Sequence, residues 1–202
     1  MNELDRGKNV LVSLLAFTSG FVIMSLELLG GRLLAPYFGS GIYVWGSVIT
    51  VFMLALSAGY LTGGWLSLFN PSLKRFSLIF FSSAATLSPL ALINEFLMAT
   101  VFEAVTDPRW GSLLAALILF AFPTFILGLI SPYAVRLLVV DVDRAGNTAG
   151  RLYFVSTIGS ALGTLATSFY FVLWFQMNTI IFILSSALLL FGFVSWVAAR
   201  RG

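Results

Sequence analysis

Six apolar segments, each long enough for the ~20 residues that a transmembrane helix needs, follow one another along the chain. We predict membrane spans over residues 9–35, 43–69, 76–102, 112–138, 150–175 and 179–199. The first segment is too long for the core of a signal peptide, so we expect it to be retained. The sequence therefore predicts an all-α, polytopic membrane protein whose six helices form a single domain over residues 1–202.

The composition supports lipid as the solvent for these segments and narrows the chemistry. Only 9% of the residues are charged, against about 25% in an average soluble protein. The chain has no Cys and no His, which excludes thiolate and histidine metal sites, His-ligated haem and a Cys nucleophile from this chain alone. The net charge of +3 is too small and too scattered for nucleic-acid binding. We expect no metal and no cofactor.

Lys and Arg are concentrated on one side of the predicted bundle. Nine of the 11 basic residues lie at the N-terminus, in the connectors after the second and fourth spans, and at the C-terminus. Arg32 and Arg109 lie on the opposite side. Because basic residues accumulate in cytoplasmic segments, we expect both termini to be cytoplasmic, in a prokaryotic plasma membrane.

Two acidic residues lie inside predicted membrane helices. Glu27 and Glu95 occupy the outer halves of the first and third spans, which run in the same direction, so helical rise places them at similar depth. A charge at such a depth is costly and usually faces a cavity or a partner. Arg32 follows Glu27 by one and a half turns, and Tyr37 supplies an aromatic face. These four residues predict a cation or proton site; the alternative is a structural Glu–Arg pair that clamps helices one to three.

Two glycine pairs have the spacing of close helix contacts. Gly59 and Gly63 lie in the second span, and Gly159 and Gly163 lie in the fifth. Small residues four apart let two helix backbones approach closely in a membrane. We predict packing within the subunit, with homodimerisation or a ligand contact as the alternatives.

The glycine pairs also belong to a faint internal repeat. Pro36-Tyr37 precedes the first pair, and Pro132-Tyr133 precedes the second. Three spans separate the copies, so they have opposite orientations in the membrane. This pattern predicts the inverted three-plus-three arrangement found in each half of major facilitator transporters; the alternative is chance, because Gly and Pro are common in membrane helices.

A mixed-charge connector lies on the side of the termini. We consider it a docking face for a cytoplasmic partner, with ordinary solvated surface as the alternative. Its charged residues are Arg136, Asp141, Asp143, Arg144 and Arg151. No strand pattern and no Gly-rich phosphate loop are present, so we predict that this chain is not an enzyme and that it contributes no catalytic residues.

The segment from Glu27 to Gly64, ELLGGRLLAPYFGSGIYVWGSVITVFMLALSAGYLTGG, resembles the first membrane hairpin of the membrane-bound spermidine synthase-like proteins, which are major-facilitator/spermidine-synthase fusions. The segments GLISPYAVRLL and AGNTAGRLYFVSTIGSALGTL resemble that family's fourth and fifth spans. The fused members carry a cytoplasmic aminopropyltransferase-like domain, whose catalytic and S-adenosylmethionine-binding residues have no counterparts here. The resemblance implies either a stand-alone membrane unit or the membrane part of a system whose catalytic domain is a separate polypeptide.

Three functions are consistent with these observations. The leading one is a membrane module that anchors or cooperates with a spermidine synthase-like protein, with transport of a polyamine or another organic cation as the accompanying hypothesis. The second is a non-catalytic structural subunit of a larger membrane complex. The third is a homodimeric small-solute transporter, since half-size membrane domains often need a second copy to enclose a path.

Overall fold

The computed structural model describes residues 3–139 and 141–201, which form helices joined by short turns, with no strand among them. Residues 1, 2, 140 and 202 of the predicted domain lie outside the described residues. The α-helices are α1 Glu3–Phe38, α2 Ile42–Leu66, α3 Leu73–Leu87, α4 Leu90–Ala104, α5 Pro108–Gly128, α6 Ile130–Leu138, α7 Ala145–Ala166, α8 Val172–Trp174 and α9 Met177–Arg201. A 3₁₀ turn at Val142–Arg144 precedes α7, and a π-helical turn at Thr167–Phe171 joins α7 to α8.

Five helical segments are long and apolar enough to span a membrane on their own. They are Arg6–Phe38, Ile42–Leu66, Pro108–Leu138, Ala145–Trp174 and Met177–Arg200. Helices α3 and α4 pass the same test only together, and they bend by 46° at the break between them. The prediction of an all-α chain with several helices suited to a membrane is confirmed.

The third predicted span, 76–102, is a bent pair of helices rather than one straight helix. The bend follows α3 at Ser88 and Pro89. Proline has no backbone N–H and its ring crowds the preceding turn, so it interrupts a helix at this point. The fourth span is interrupted in a similar way at Leu129, three residues before Pro132.

Side chains fix the start of two helices that follow tight turns. The Ser72 hydroxyl accepts a hydrogen bond from the Arg75 backbone N–H at 3.3 Å and caps α3. The Asp107 carboxylate accepts one from the Arg109 backbone N–H at 2.9 Å and caps α5. Such caps satisfy N–H groups that have no partner inside the helix.

The predicted packing glycines lie where the backbones of neighbouring helices approach closely. A Cβ atom built at Gly63 in α2 would lie 2.6 Å from the backbone oxygen of Leu129, at the junction of α5 and α6. One built at Gly163 in α7 would lie 2.9 Å from the Cα atom of Phe21 in α1. Gly59 and Gly159 make the matching contacts one turn earlier, so each pair of helices runs parallel. Each of these four glycines therefore has backbone of another helix of the same chain beside it.

The hydrophobic core lies between α1 and α5, and α2 and α3 flank these two helices. Its largest buried side chains include Phe52, Phe76, Phe120 and Tyr133. The ring of Tyr133 stacks on that of Phe76, with centroids 5.6 Å apart. Its hydroxyl accepts a hydrogen bond from the Ser72 backbone N–H at 3.1 Å, so one buried residue ties the fourth span to the start of α3.

Helix α7 is the least covered of the long helices. Only Leu152, Gly159 and Gly163 are buried among its 22 residues. Its exposed face carries hydroxyl and small side chains beside its apolar ones, including Thr157 and Ala161. A face of this kind is suited to contact with another helix as well as with lipid.

Candidate functional site

Glu27 occupies a half-buried position in α1, between Leu26 and Leu28. It lies about 32 Å from Arg6 along the helix axis, at a rise of ~1.5 Å per residue. That distance places the carboxylate in the half of the first span that is farther from the N-terminus. A carboxylate with only partial solvent access in an apolar helix requires a cation, a proton or hydrogen-bond donors nearby.

Arg32, the predicted ionic partner of Glu27, does not form an ion pair with it. Arg32 and Glu95 are both exposed. Among residues 6–139, 141 and 143–200, whose side chains the structure describes, the one ion pair joins Arg109 to Asp107, at 2.9 Å. Arg32 therefore forms no ion pair with Glu27 or Glu95 that could clamp helices one to three.

Tyr37 brings the end of α1 against α4. Its hydroxyl donates a long hydrogen bond, 3.5 Å, to the backbone oxygen of Glu95. Its ring packs edge-on against Phe102, with centroids 6.1 Å apart. Two of the four predicted binding residues, Tyr37 and Glu95, are thus neighbours, with the tyrosine contacting the glutamate's backbone rather than its carboxylate.

Three buried hydroxyl groups were not among the predicted site residues. The Oγ atom of Ser19 and the Oγ1 atoms of Thr124 and Thr167 have no hydrogen-bond partner within the described part of the chain. They belong to α1, to α5 and to the π-helical turn, respectively. Buried polar atoms are nearly always paired with protein or ordered water, so each of these hydroxyls is a position where water or a polar ligand gains a hydrogen bond.

Helix irregularities accompany two of these hydroxyls. Thr124 directly follows Pro123, which lies inside α5. Thr167 begins the π-helical turn, one turn beyond Gly163. The Ser25 hydroxyl in α1 donates to the backbone oxygen of that glycine at 3.3 Å. Proline and π-helical turns leave backbone groups that need other partners, and such turns occur often at functional sites.

Glu27 offers carboxylate oxygens as its only ligands. No group of three or more Asp and Glu side chains is close enough to hold a metal ion among residues 6–139, 141 and 143–200. A single half-buried carboxylate suits a monovalent or organic cation better than a tightly bound divalent ion.

The residues of the predicted docking face are all exposed. Arg136 lies in the last turn of α6, Asp141, Asp143 and Arg144 follow it, and Arg151 lies in α7. The Asp141 carboxylate accepts a hydrogen bond from the Asp143 backbone N–H at 3.1 Å and shapes the connector. The charges are therefore available at the surface, on the side of the bundle where α1 begins and α9 ends.

Comparison with known proteins found no match for this chain. No family model, no curated protein and no solved structure matches the chain. The function is therefore inferred from the residues of this chain and from their arrangement.

Proposed function

We propose that this chain is a six-span membrane module that binds an organic cation at Glu27 and works with a spermidine synthase-like partner. The observation that carries the proposal is the half-buried Glu27 carboxylate, inside an apolar helix and with no ion pair among the described residues. Since an uncompensated charge is costly there, a cationic ligand supplies the missing countercharge. The chain itself is assigned no catalysis, and aminopropyl transfer belongs to the partner.

The identity of the cation rests on chemistry and on the resemblance. A polyamine carries several ammonium groups, which suit a carboxylate and aromatic faces. The Tyr37 hydroxyl reaches the backbone of Glu95, so the turn of α4 that carries a second acid lies next to the end of α1 and is proposed to meet the far end of an elongated polycation. The resemblance of the Glu27–Gly64 segment to spermidine synthase-like membrane proteins points to the same class of ligand.

The proposed topology counts α3 and α4 as one bent third span. This count gives six spans and places both termini on one side of the membrane, together with the connectors that carry most of the Lys and Arg residues. By the positive-inside rule that side is the cytoplasm. We assign the protein to a prokaryotic plasma membrane, with Arg136, Asp141, Asp143, Arg144 and Arg151 facing the cytoplasmic partner.

The proposed architecture is half of a major facilitator fold with an inverted three-plus-three repeat. Its support is a reciprocal set of contacts: the second span packs on the fourth in the same way that the fifth packs on the first. These contacts align the first span with the fourth, so that Phe17, Gly20 and Phe21 match Phe125, Gly128 and Leu129. They also align the second span with the fifth, so that Leu56, Gly59 and Gly63 match Ser156, Gly159 and Gly163.

This alignment of the two repeats differs from the alignment that the proline–tyrosine pairs suggest. Pro132 corresponds to Met24 in the first span, rather than to Pro36. The Pro-Tyr pairs are therefore not equivalent positions in the proposed repeat, although the glycine pairs are. The repeat rests on backbone contacts between helices instead of on the order of the prolines.

Uptake into vesicles tests the cation proposal. The purified protein is reconstituted with and without a spermidine synthase-like partner, and entry of radiolabelled spermidine is measured. We expect Glu27→Gln to lower uptake about tenfold or more, the equivalent of roughly 1.4 kcal/mol of lost attraction. Glu103→Gln, which changes an exposed acid near the end of α4, serves as the matched control and should leave uptake unchanged. Equal uptake by the protein and its Glu27→Gln variant would reject the proposal.

A second candidate is a subunit that functions through contact with another protein, either a second copy in a homodimeric transporter or a larger complex. The exposure of α7, with three buried residues in 22, favours it. Mass measurement in mild detergent separates the two forms, because a homodimer doubles the mass whereas a structural subunit copurifies with other chains. A monomer without other chains would count against both.

A further inference from the structure

An open groove separates the first helix from α7 at the end of the bundle where α1 begins. Its volume is about 500 Å³. Arg6 and Arg151 both line it, one from each helix, together with Asn9, Ser13 and Thr148. The lining includes no Asp or Glu in the part of the chain that the structure describes. The groove is therefore a positive, hydrogen-bonding concavity near the membrane surface.

The remaining wall of the groove is apolar. Leu14 and Phe17 continue the α1 side, and Leu152 and Val155 continue the α7 side. Phe17 lies about 16 Å from Arg6 along the axis of α1, which is roughly half the ~30 Å hydrocarbon thickness of a bilayer. The groove thus runs from a charged end at the headgroup level to an apolar end deep among the acyl chains.

A second groove of about 460 Å³ shares Arg151 and Val155 with this groove and continues over Asn147, Gly150 and Phe154 of α7. Arg151 therefore lines both concavities, and apolar side chains lie beside it in each. A phospholipid has a matching composition, with one charged phosphate and two acyl chains. A soluble phosphate ester would use the arginines but would leave these apolar side chains in contact with other lipids.

We propose that Arg6 and Arg151 form a binding site for the phosphate of an anionic phospholipid, whose acyl chains occupy the two grooves beside α7. A planar guanidinium donates paired hydrogen bonds to phosphate oxygens. Basic pockets between membrane helices recognise anionic headgroups by the same chemistry. A bound lipid at this position also covers part of α7, which has little cover from the rest of the chain.

Native mass spectrometry of the detergent-purified protein tests the site. The protein is titrated with phosphatidylglycerol and with phosphatidylcholine of identical acyl chains. We expect clear preference for phosphatidylglycerol, and about a 25-fold loss of affinity in the double variant Arg6→Gln/Arg151→Gln, at roughly fivefold for each arginine removed. Arg136→Gln/Arg144→Gln removes two exposed arginines from the same side of the bundle, outside both grooves, and should retain binding.

The other arms separate this site from its alternatives. Arg6→Lys/Arg151→Lys keeps the charge and should keep most of the preference, which guards against a fold defect in the Gln variant. Equal binding of the two lipids, equal loss in the control variant, or full displacement of the lipid by millimolar glycerol phosphate would overturn the proposal. So would a Gln double variant that retains the lipid but no longer captures a spermidine synthase-like partner, because Arg151 would then act only in the docking face proposed above.

Discussion

Gly63 in α2 packs directly on the backbone of Leu129, where the fourth span is interrupted between α5 and α6. A Cβ atom at Gly63 would lie 2.6 Å from the Leu129 oxygen and 2.7 Å from its Cα atom. Both are backbone atoms, so a side-chain rotation cannot relieve the overlap. Two helices must move apart to admit even a methyl group.

Gly63→Ala should therefore destabilise the bundle by about 1–3 kcal/mol, the usual cost of overpacking a well-packed contact. Gly64 is the matched control, because a Cβ atom there meets nothing within 4 Å. Gly64→Ala should be neutral or stabilising by up to about 1 kcal/mol, since alanine favours a helix over glycine. Unfolding in mixed detergent–SDS micelles measures both. Equal stability of the two variants would contradict the close contact.

The proposed repeat makes a further prediction about glycine. Gly59 and Gly159 occupy corresponding positions, and a Cβ atom at either one overlaps backbone of a neighbouring helix. Gly59→Ala and Gly159→Ala should therefore cost similar free energies of unfolding, within about 1 kcal/mol of each other and in the 1–3 kcal/mol range. Gly150→Ala, at an open position in α7, is the control. A large cost at one glycine and none at the other would argue against equivalence of the two helix pairs.

The sequence predicted the helices well and their partners poorly. Long apolar runs identify helices in a membrane protein because backbone polar groups must be satisfied internally. The sequence pattern hardly shows which face of a membrane helix is buried, because lipid is as apolar as the protein core. Phe52 is buried and Phe96 is 73% exposed, although each is a phenylalanine in an apolar segment. Pro89 lies at the bend between α3 and α4, whereas no residue pattern identifies the π-helical turn.

The same limit applies to the candidate site. Glu27 and Glu95 were identified because charge is rare in membrane helices. The buried hydroxyls were not, because a serine in a helix usually bonds its own backbone: the Ser185 hydroxyl donates to the Ile181 oxygen at 2.9 Å. Ser19 lacks such a bond, yet the two serines look alike in sequence. Only the arrangement of neighbouring helices distinguishes them.

Asn94 in α4 provides a polar link to α9. Its side-chain N–H donates to the Oδ1 atom of Asn178 at 2.9 Å, and Asn94 is buried. Hydrogen bonds between membrane helices contribute about 0.6 kcal/mol on average and up to about 1.7 kcal/mol. A double-mutant cycle of Asn94→Ala and Asn178→Ala should give a coupling free energy in that range. A cycle that pairs Asn94→Ala with Asn147→Ala, an exposed residue in α7, should give a coupling near zero, and equal values for both cycles would contradict a direct bond.

Asp107 gives the turn before α5 a dependence on pH. Hydrogen bonds from the Arg109 guanidinium, and then from its backbone N–H, lower the pKa of the Asp107 carboxyl below its ordinary value. A carboxyl whose pKa is lower in the folded state stabilises that state fully above its unfolded pKa of about 3.9. The contribution is lost as the pH falls through that value toward the folded pKa.

Asp107→Asn should therefore remove part of the fall in the thermal unfolding midpoint between about pH 5 and pH 3, leaving stability near pH 7 only slightly lower. Asparagine caps helices about as well as aspartate, so the variant isolates the charge from the cap. Asp107→Ala removes both and should be less stable at every pH, because the helix cap is lost as well. Since the pair is exposed, salt should reduce the difference between the native protein and Asp107→Asn. An unchanged pH profile in Asp107→Asn would show that the carboxylate acts only as a hydrogen-bond acceptor for the helix end.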